Sequence, residues 1–154
     1  MITDYIIKKE GLVRFRNKSI NEEFIKNESG SVLEFACIPF LKFYIKLYHT
    51  ESYHNVQIHV LQGLRPNWDK SITVLSVESV SEFKIMPVNQ ALFDNEVNEI
   101  LVEILTDFTK SAIAHNSGMF SVFSFQCGLI PVKMHQISTD DLKIKVRNKL
   151  QKLL

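Results

Sequence analysis

Residues Ser71–Pro87, SITVLSVESVSEFKIMP, combine the alternation of a β-strand with two serines at positions where apolar residues are expected. The apolar residues that alternate along this stretch are Leu75, Val77, Phe83 and Ile85. A period of two residues indicates a strand, because successive side chains point to opposite faces of a sheet. Ser79 and Ser81 interrupt the apolar face in mid-strand. We expect the strand to bend there, with the apolar pair before the serines packing in one layer and the pair after them in another.

The residues before this stretch also alternate, which predicts further antiparallel strands. In SVLEFACIPFLKFYIKLYH, residues 31–49, one face carries Leu33, Phe35, Cys37, Leu41, Phe43, Ile45 and Leu47. The other face carries Phe40, Tyr44 and Tyr48, with Lys42 and Lys46 between them. Pro39 belongs at a bulge or a sheet edge, because proline has no N–H for a strand ladder. A following strand, buried on one side, is predicted from the alternation of Val56, Ile58 and Val60 with polar residues.

From Asn89 onward the apolar period becomes helical, which predicts a long amphipathic helix. Its apolar stripe is Phe93, Val97, Ile100, Leu101, Ile104, Leu105, Phe108 and Ala112. The sequence HNSG, His115–Gly118, is typical of a helix C-terminus, so we expect residues 119–132 to be extended. A last helix is predicted to begin near Ser138, where several N-cap candidates adjoin.

Strands that precede helices along the chain are typical of an α+β fold, in which helices cover one face of an antiparallel sheet. The sequence therefore predicts a four-stranded antiparallel β-sheet with a long amphipathic helix and a C-terminal helix packed on one side. A chain of 154 residues fits a single domain, residues 1–154. Within it we expect residues 1–30 to form a peripheral N-terminal segment, residues 31–87 the sheet and residues 88–154 the helical layer.

The composition is that of an ordinary soluble globular protein, with 45% hydrophobic residues, 23% charged residues and a net charge of +1. Cys37 and Cys127 lie in apolar runs without metal-ligand spacing, which fits buried thiols in a reducing cytoplasm. No export signal is visible at the N-terminus, and the most apolar run is broken by Pro39, Lys42 and Lys46. We therefore expect a cytoplasmic protein with no membrane partner.

No catalytic signature stands out in the sequence. The candidate metal ligands are His49, His54, His59 and Glu51, which lie close together along the chain. Cys127 could act as a nucleophile with His115 or His135 only if the fold brings them into contact. Neither group has the spacing of a known motif, and the glycines form no phosphate-binding loop. We therefore expect no catalytic residues, no metal and no cofactor, with a small metal- or thiol-dependent enzyme as the alternative.

Charged residues are segregated between the two predicted helices. The last helix carries Lys143, Lys145, Arg147, Lys149 and Lys152, and the long helix carries Asp94, Glu96, Glu99, Glu103 and Asp107. These runs fit either two solvated faces or complementary docking between elements or subunits. The alternation of Phe40, Lys42, Tyr44, Lys46 and Tyr48 also fits an RNA-binding sheet. Nucleic acid is nevertheless not expected as a partner, since the net charge is close to zero.

The order of these features resembles the SecB family of protein-export chaperones and its relatives. The resemblance is carried by the strand VLSVESVSEFKI, residues 74–85, by the long helix after it and by Leu129–Val132, LIPV, before a terminal helix. It covers about residues 31–154. Lys133 and Met134 depart from the family motif, which has Asn and Phe at these positions. The near-neutral charge also departs from the often acidic family, so the resemblance implies the fold and client holding more than export.

The resemblance implies a cytoplasmic, non-enzymatic chaperone that forms a dimer or tetramer, binds unfolded or partly folded polypeptide and serves protein transport. Relatives in the wider superfamily also serve as chaperones of antitoxins, which makes a dedicated partner-binding accessory or immunity-type protein the alternative. The residues support client binding because the predicted sheet is apolar on more than one face, and exposed apolar surface marks interaction sites. The expected client-binding residues are Phe40, Tyr44, Tyr48, Phe83, Phe120, Phe123 and Phe125.

Overall fold

A computed structural model of the chain describes residues 6–8, 14–20, 37–50, 53–86, 98–126 and 136–154. Within these ranges the elements are β1 (Ile6–Lys8), β2 (Arg14–Ile20), β3 (Cys37–His49), β4 (His54–Pro66), β5 (Leu75–Met86), α1 (Glu99–Gln126) and α2 (Thr139–Leu153). The strands come before the helices along the chain, which confirms the predicted α+β class.

The strands form one antiparallel sheet in the order β1-β5-β4-β3, and β2 also pairs with β5. The described part of residues 31–87 contributes three long strands and not the expected four. The other strands come from the first 30 residues, where β1 and β2 pair with successive parts of the same edge of β5. Within the described residues β3 is therefore the opposite edge of the sheet, because it pairs only with β4.

Both helices pack on one face of the sheet, and the alternation of the strands explains which face. Cross-strand partners such as Phe43 and Val60 point to the same side, where α1 and α2 bury apolar residues against them. The Phe83 ring of β5 stacks on Phe108 of α1, with the ring centroids 4.2 Å apart. The helices contribute Leu101, Leu105, Phe108, Ala112, Leu142, Val146 and Leu150 to this core.

Helix α1 continues to Gln126, so the predicted stop at residues 115–118 is wrong. Asn116 is not a cap but a buried residue of the helix, and its side chain bonds to the sheet. The buried stripe runs on through Phe120 and Ser124, at four-residue intervals. Residues 119–126 are therefore helical and not extended, whereas Cys127 and the LIPV motif lie outside the described residues.

Helix α2 begins where the sequence predicts. The Ser138 hydroxyl accepts a hydrogen bond from the Asp141 backbone N–H at 3.2 Å, which makes Ser138 the N-cap. Asp140 and Asp141 lie in the first turn and complement the helix dipole.

Buried apolar residues that the structure describes form two hydrophobic clusters. The larger contains Phe83 and Ile85, and the smaller contains Leu75, Val77 and the Phe120 ring. The predicted packing of the two apolar pairs in separate layers is thereby confirmed. On the face that carries these pairs, the buried side chains between them are those of Ser79 and Ser81. A register shift in β2, between Phe15 and Asn17, falls opposite Ser79, so the irregularity of this ladder lies in the partner strand.

Asn116 joins the helix to the sheet at this boundary. Its side-chain Nδ2 lies 2.7 Å from the Ser79 hydroxyl oxygen and 3.0 Å from the Val60 carbonyl oxygen. The same nitrogen is 3.2 Å from the Val77 carbonyl oxygen. Next to it, the Ser117 hydroxyl donates to Gln62 Oε1 at 3.0 Å. A polar layer formed by Ser79, Asn116, Ser117 and Gln62 therefore separates the two clusters.

The charged runs of the two helices face each other within the chain. Arg147 of α2 donates to both carboxylate oxygens of Glu99, at 2.7 and 3.1 Å, and Lys143 lies 3.4 Å from Glu103. The Arg147 hydrogen bond lowers the pKa of the Glu99 carboxyl and raises that of the guanidinium. Complementary docking between elements, one of the two interpretations of the charged runs, therefore occurs for these residues.

Candidate functional site

The side of the sheet away from the helices, here called the outer face, carries the alternate residues of each long strand. Register places Tyr44, His59 and Val80 side by side across the three strands. The outer face consists of Ile38, Phe40, Lys42, Tyr44, Lys46 and Tyr48 of β3, Asn55, Gln57, His59, Leu61, Gly63 and Arg65 of β4, and Ser76, Glu78, Val80, Glu82 and Lys84 of β5. The buried apolar residues of the two described helices belong to the core clusters on the opposite side of the sheet.

Exposed apolar side chains on this face are concentrated on β3. Ile38, Tyr44 and Tyr48 are 44%, 43% and 46% exposed, and Phe40 is half-buried. These four residues share one parity on one strand and form a row, here called the β3 row, in which Lys42 and Lys46 stand between the rings. Exposed apolar surface of this kind marks interaction sites in soluble proteins.

A small cavity opens beside Tyr44. The tyrosine ring stacks on the His59 imidazole, with the centroids 4.3 Å apart and an interplanar angle of 13°. His59 is only 1% exposed, so the imidazole is buried beneath the ring. The cavity has a volume of about 170 Å³ and is lined by Lys42, Tyr44, His59, Val60, Leu61 and Glu78. Its lining combines apolar atoms with one cation and one carboxylate at the surface.

Gly63 lets Phe40 lie against the neighbouring strand. A Cβ atom at Gly63 would contact the Leu75 carbonyl oxygen and would lie 2.7 Å from the Phe40 ring. That space is too small for a methyl group, so only glycine fits beneath the ring. The Arg65 guanidinium in turn lies 5.3 Å from the centre of the Phe40 ring. Phe40 therefore contacts both the glycine backbone of the neighbouring strand and a cation.

Similarity to solved structures identifies this architecture. The chain matches the SecB-like chaperone Rv1957 of Mycobacterium tuberculosis, solved in complex with a ChAD peptide from the Rv1956 HigA1 antitoxin, with a TM-score of 0.55. The match covers 87% of this chain and 91% of the other, at 10% sequence identity. The chain has a SecB-like fold. No protein-family model and no curated protein sequence matches it.

The SecB-like fold brings together three of the seven expected client-binding residues. Phe40, Tyr44 and Tyr48 lie in the β3 row on the outer face. Ile38, which was not predicted, has the same parity as Phe40, and extending the alternation past Pro39 predicts its place in the row. The role of His59 as the support of the Tyr44 ring was not predicted either.

The other four expected residues lie elsewhere. Phe83 and Phe120 are 2% and 1% exposed and belong to the two core clusters, so a client cannot reach either ring in this conformation. Phe123 is half-buried beside the smaller cluster. Phe125 is 74% exposed near the end of α1, and its client-binding role stays a prediction.

The candidate metal ligands do not converge in the SecB-like fold. His49 and His54 pair across the β3–β4 hairpin with their Nδ1 atoms 2.6 Å apart, whereas His59 lies on the outer face. Across the described ranges, no three His, Cys, Asp or Glu side chains are grouped so that they could hold a metal ion. Glu51, Cys127 and His135 lie outside the described residues.

Neither described helix combines the length and the apolarity needed to cross a membrane.

Proposed function

We propose that this protein is a non-catalytic cytoplasmic chaperone that binds unfolded or partly folded polypeptide on its outer face. The observation that carries the proposal is the β3 row, in which Ile38, Tyr44 and Tyr48 are exposed along one face of one strand. Unfolded chains expose apolar and aromatic side chains, and covering them against this row removes both surfaces from water. Tyrosine suits such a surface because its ring is apolar and its hydroxyl can keep a polar contact.

The position of β3 supports the same proposal. Among the described residues it is an edge strand, because it pairs only with β4. Its other side offers main-chain groups with which an extended segment can pair. Strand addition gives affinity through main-chain hydrogen bonds, whatever the sequence of the client. The alternating side chains of the β3 row then contact every second residue of the bound segment.

The SecB-like fold supports a role in which polypeptide is bound and not converted. The similar mycobacterial chaperone was solved with a peptide from an antitoxin. That complex also favours a second candidate for this chain, the binding of one dedicated protein partner. Both candidates use the same outer face and differ in the range of segments accepted.

The first prediction concerns suppression of aggregation. The chain should keep a chemically unfolded test protein in solution at stoichiometric ratios, as measured by light scattering. Replacing Tyr44→Ser together with Tyr48→Ser should remove most of this protection, because each aromatic contact contributes on the order of 1–2 kcal/mol to such binding. Ile144→Ser with Leu153→Ser is the matched control, since these apolar residues of α2 are similarly exposed, at 53% and 47%.

Two outcomes would count against this proposal. Aggregation that proceeds unchanged with excess wild-type protein would reject the general chaperone. Full protection by the tyrosine double variant would reject the β3 row as the surface that binds the client. Absence of general protection together with tight, Tyr44-dependent binding of one copurifying protein would instead establish the dedicated partner.

A further inference from the structure

Three cations lie among the exposed apolar side chains of the outer face. Lys42 and Lys46 alternate with the tyrosines of the β3 row, and Arg65 lies on the neighbouring strand. Lys46 Nζ is 5.6 Å from the centre of the Tyr44 ring, and the Arg65 guanidinium is 5.3 Å from that of Phe40. Positive charge is therefore held directly beside the apolar surfaces that a client would cover.

These cations form no ion pair within the described part of the chain, although Glu78 lines the same cavity as Lys42. No described carboxylate forms a salt bridge with Lys42, Lys46 or Arg65, since both described ion pairs join the two helices. The carboxylates of the outer face are Glu78 and Glu82 on β5, two strands away from β3. Gln57 already donates a hydrogen bond to Glu82 at 2.7 Å. The open edge of the outer face is consequently positive.

The spacing of the cations and rings follows from the strand itself. Residues four apart on an extended strand lie on one face about 13 Å apart. Lys42 and Lys46 have this separation, and the rings of Phe40, Tyr44 and Tyr48 repeat with the same interval, offset by two residues. An extended segment laid along β3 has an identical repeat, so its side chains can match cations and rings in alternation.

We propose that the outer face selects extended client segments in which acidic residues alternate with aromatic or large apolar residues on one side. The matching segment carries acidic residues at positions n and n+4 and apolar rings at n+2 and n+6. Charge complementarity favours these segments over basic ones because like charges oppose each other across an interface. This inference rests on the proposed function, since it specifies which polypeptides the β3 row binds.

Three fluorescein-labelled peptides test the inference, with identical aromatic positions and with Glu, Gln or Lys at n and n+4. Binding to the wild-type chain is measured by fluorescence anisotropy at low salt and at about 0.5 M NaCl, where exposed charges are screened. The Glu peptide should bind about tenfold more tightly than the Lys peptide at low salt, with the Gln peptide between them. The difference should shrink at high salt.

Charge reversal on β3 tests whether Lys42 and Lys46 cause the difference in affinity between the peptides. Lys42→Glu with Lys46→Glu should invert the order of the Glu and Lys peptides. Lys110→Glu with Lys145→Glu is the control, because it changes the net charge equally at exposed positions of α1 and α2. The control variant should keep the wild-type order.

The outcomes separate this inference from the proposed function. Equal affinity for all three peptides, or an order unchanged by charge reversal on β3, would overturn charge selection while leaving peptide binding intact. Absence of binding by all three peptides would overturn both. Tighter binding of an oligouridine than of the Glu peptide would overturn the choice of polypeptide in favour of single-stranded nucleic acid.

Discussion

Asn116 occupies a place in the α1 stripe where the helical repeat favours an apolar residue. Its side chain is buried, and its amide nitrogen lies within hydrogen-bonding distance of the Ser79 hydroxyl and two strand carbonyls. A buried amide is stabilising only while it keeps these partners, because an unpaired polar group in the interior is costly. This residue therefore fixes the position of the helix along the sheet.

Replacing Asn116→Ala should lower the free energy of unfolding by about 2–3 kcal/mol, since it leaves a cavity and removes hydrogen bonds from Ser79 and the sheet. Urea unfolding followed by circular dichroism measures the change. Asn148→Ala, at an exposed position of α2, is the matched control and should change stability by less than about 0.5 kcal/mol. An Asn116→Ala variant as stable as the control would show that the polar layer does not hold the helix.

The sequence predicts the role of Ser79 in the contact between α1 and the sheet, but it does not predict that of Asn116. The serines of β5 stand out because they break a period of two, and their place between two apolar layers is confirmed. Asn116 is followed by Ser117 and Gly118, a combination typical of a helix end, so the local pattern indicates a cap. Its true partners, Val60 and Ser79, are 56 and 37 residues away along the chain. Local sequence carries no signal for such a contact.

At the scale of elements, α1 and α2 are joined by charge as well as by apolar packing. Arg147 lowers the pKa of the Glu99 carboxyl below its ordinary value of 4.5 through a hydrogen bond. A carboxyl with a lowered pKa stabilises the folded state above its unfolded pKa, and the contribution is lost as pH falls through the folded pKa. Both side chains are exposed, so the effect is small at high salt.

Glu99→Gln should therefore lower the stability of the chain slightly at pH 7 and have no effect at about pH 2, where the wild-type carboxyl is protonated. Thermal unfolding at low ionic strength across this pH range measures the difference. Asp107→Asn is the control, because this exposed carboxylate of α1 forms no described ion pair. A Glu99→Gln effect that persisted unchanged at low pH would contradict an electrostatic origin.

Elements with strong periodicity were predictable, and those defined by distant pairing were not. The long strand β5, the alternation of β4 and the start of α2 follow from patterns within a few residues. Strands β1 and β2 owe their place to pairing with β5, about 60–80 residues later in the chain. The exposed row on β3 was visible as an alternation, but the burial of Phe83 and Phe120 depends on where the helices pack.

At the scale of the whole molecule, α1 has an exposed stripe that no described element covers. Its members are Ala114, Gly118, Val122 and Phe125, spaced about one helical turn apart. Val122 and Phe125 are 59% and 74% exposed, and no described neighbour approaches Gly118. We propose that this stripe supports a homo-oligomer, the dimer or tetramer that the resemblance to the SecB family leads us to expect.

Light scattering coupled to size-exclusion chromatography should give the wild-type chain a mass that is a multiple of 17.8 kDa. Val122→Ser with Phe125→Ser should shift the mass towards the monomer at low micromolar concentration, because it removes apolar contact area. Ile144→Ser with Leu153→Ser should leave the mass unchanged. A wild-type monomer would contradict the proposal, and an unchanged mass with weaker protection of clients would assign Phe125 to client binding instead.

The division of the interior by the Asn116 layer makes the local stability of the molecule uneven. Among the described residues, the larger cluster contains residues of three strands and both helices, whereas the smaller one contains Phe120 and four other buried residues. Opening of a region requires less free energy where fewer apolar contacts are lost, so we expect the end of α1 to separate from the sheet more often than its beginning. Each such opening would uncover Phe120 beside Phe123 and Phe125. The solvent-exposed surface at this end of the helix would therefore vary with time. Aromatic side chains that are buried in the packed state would be briefly exposed to solvent.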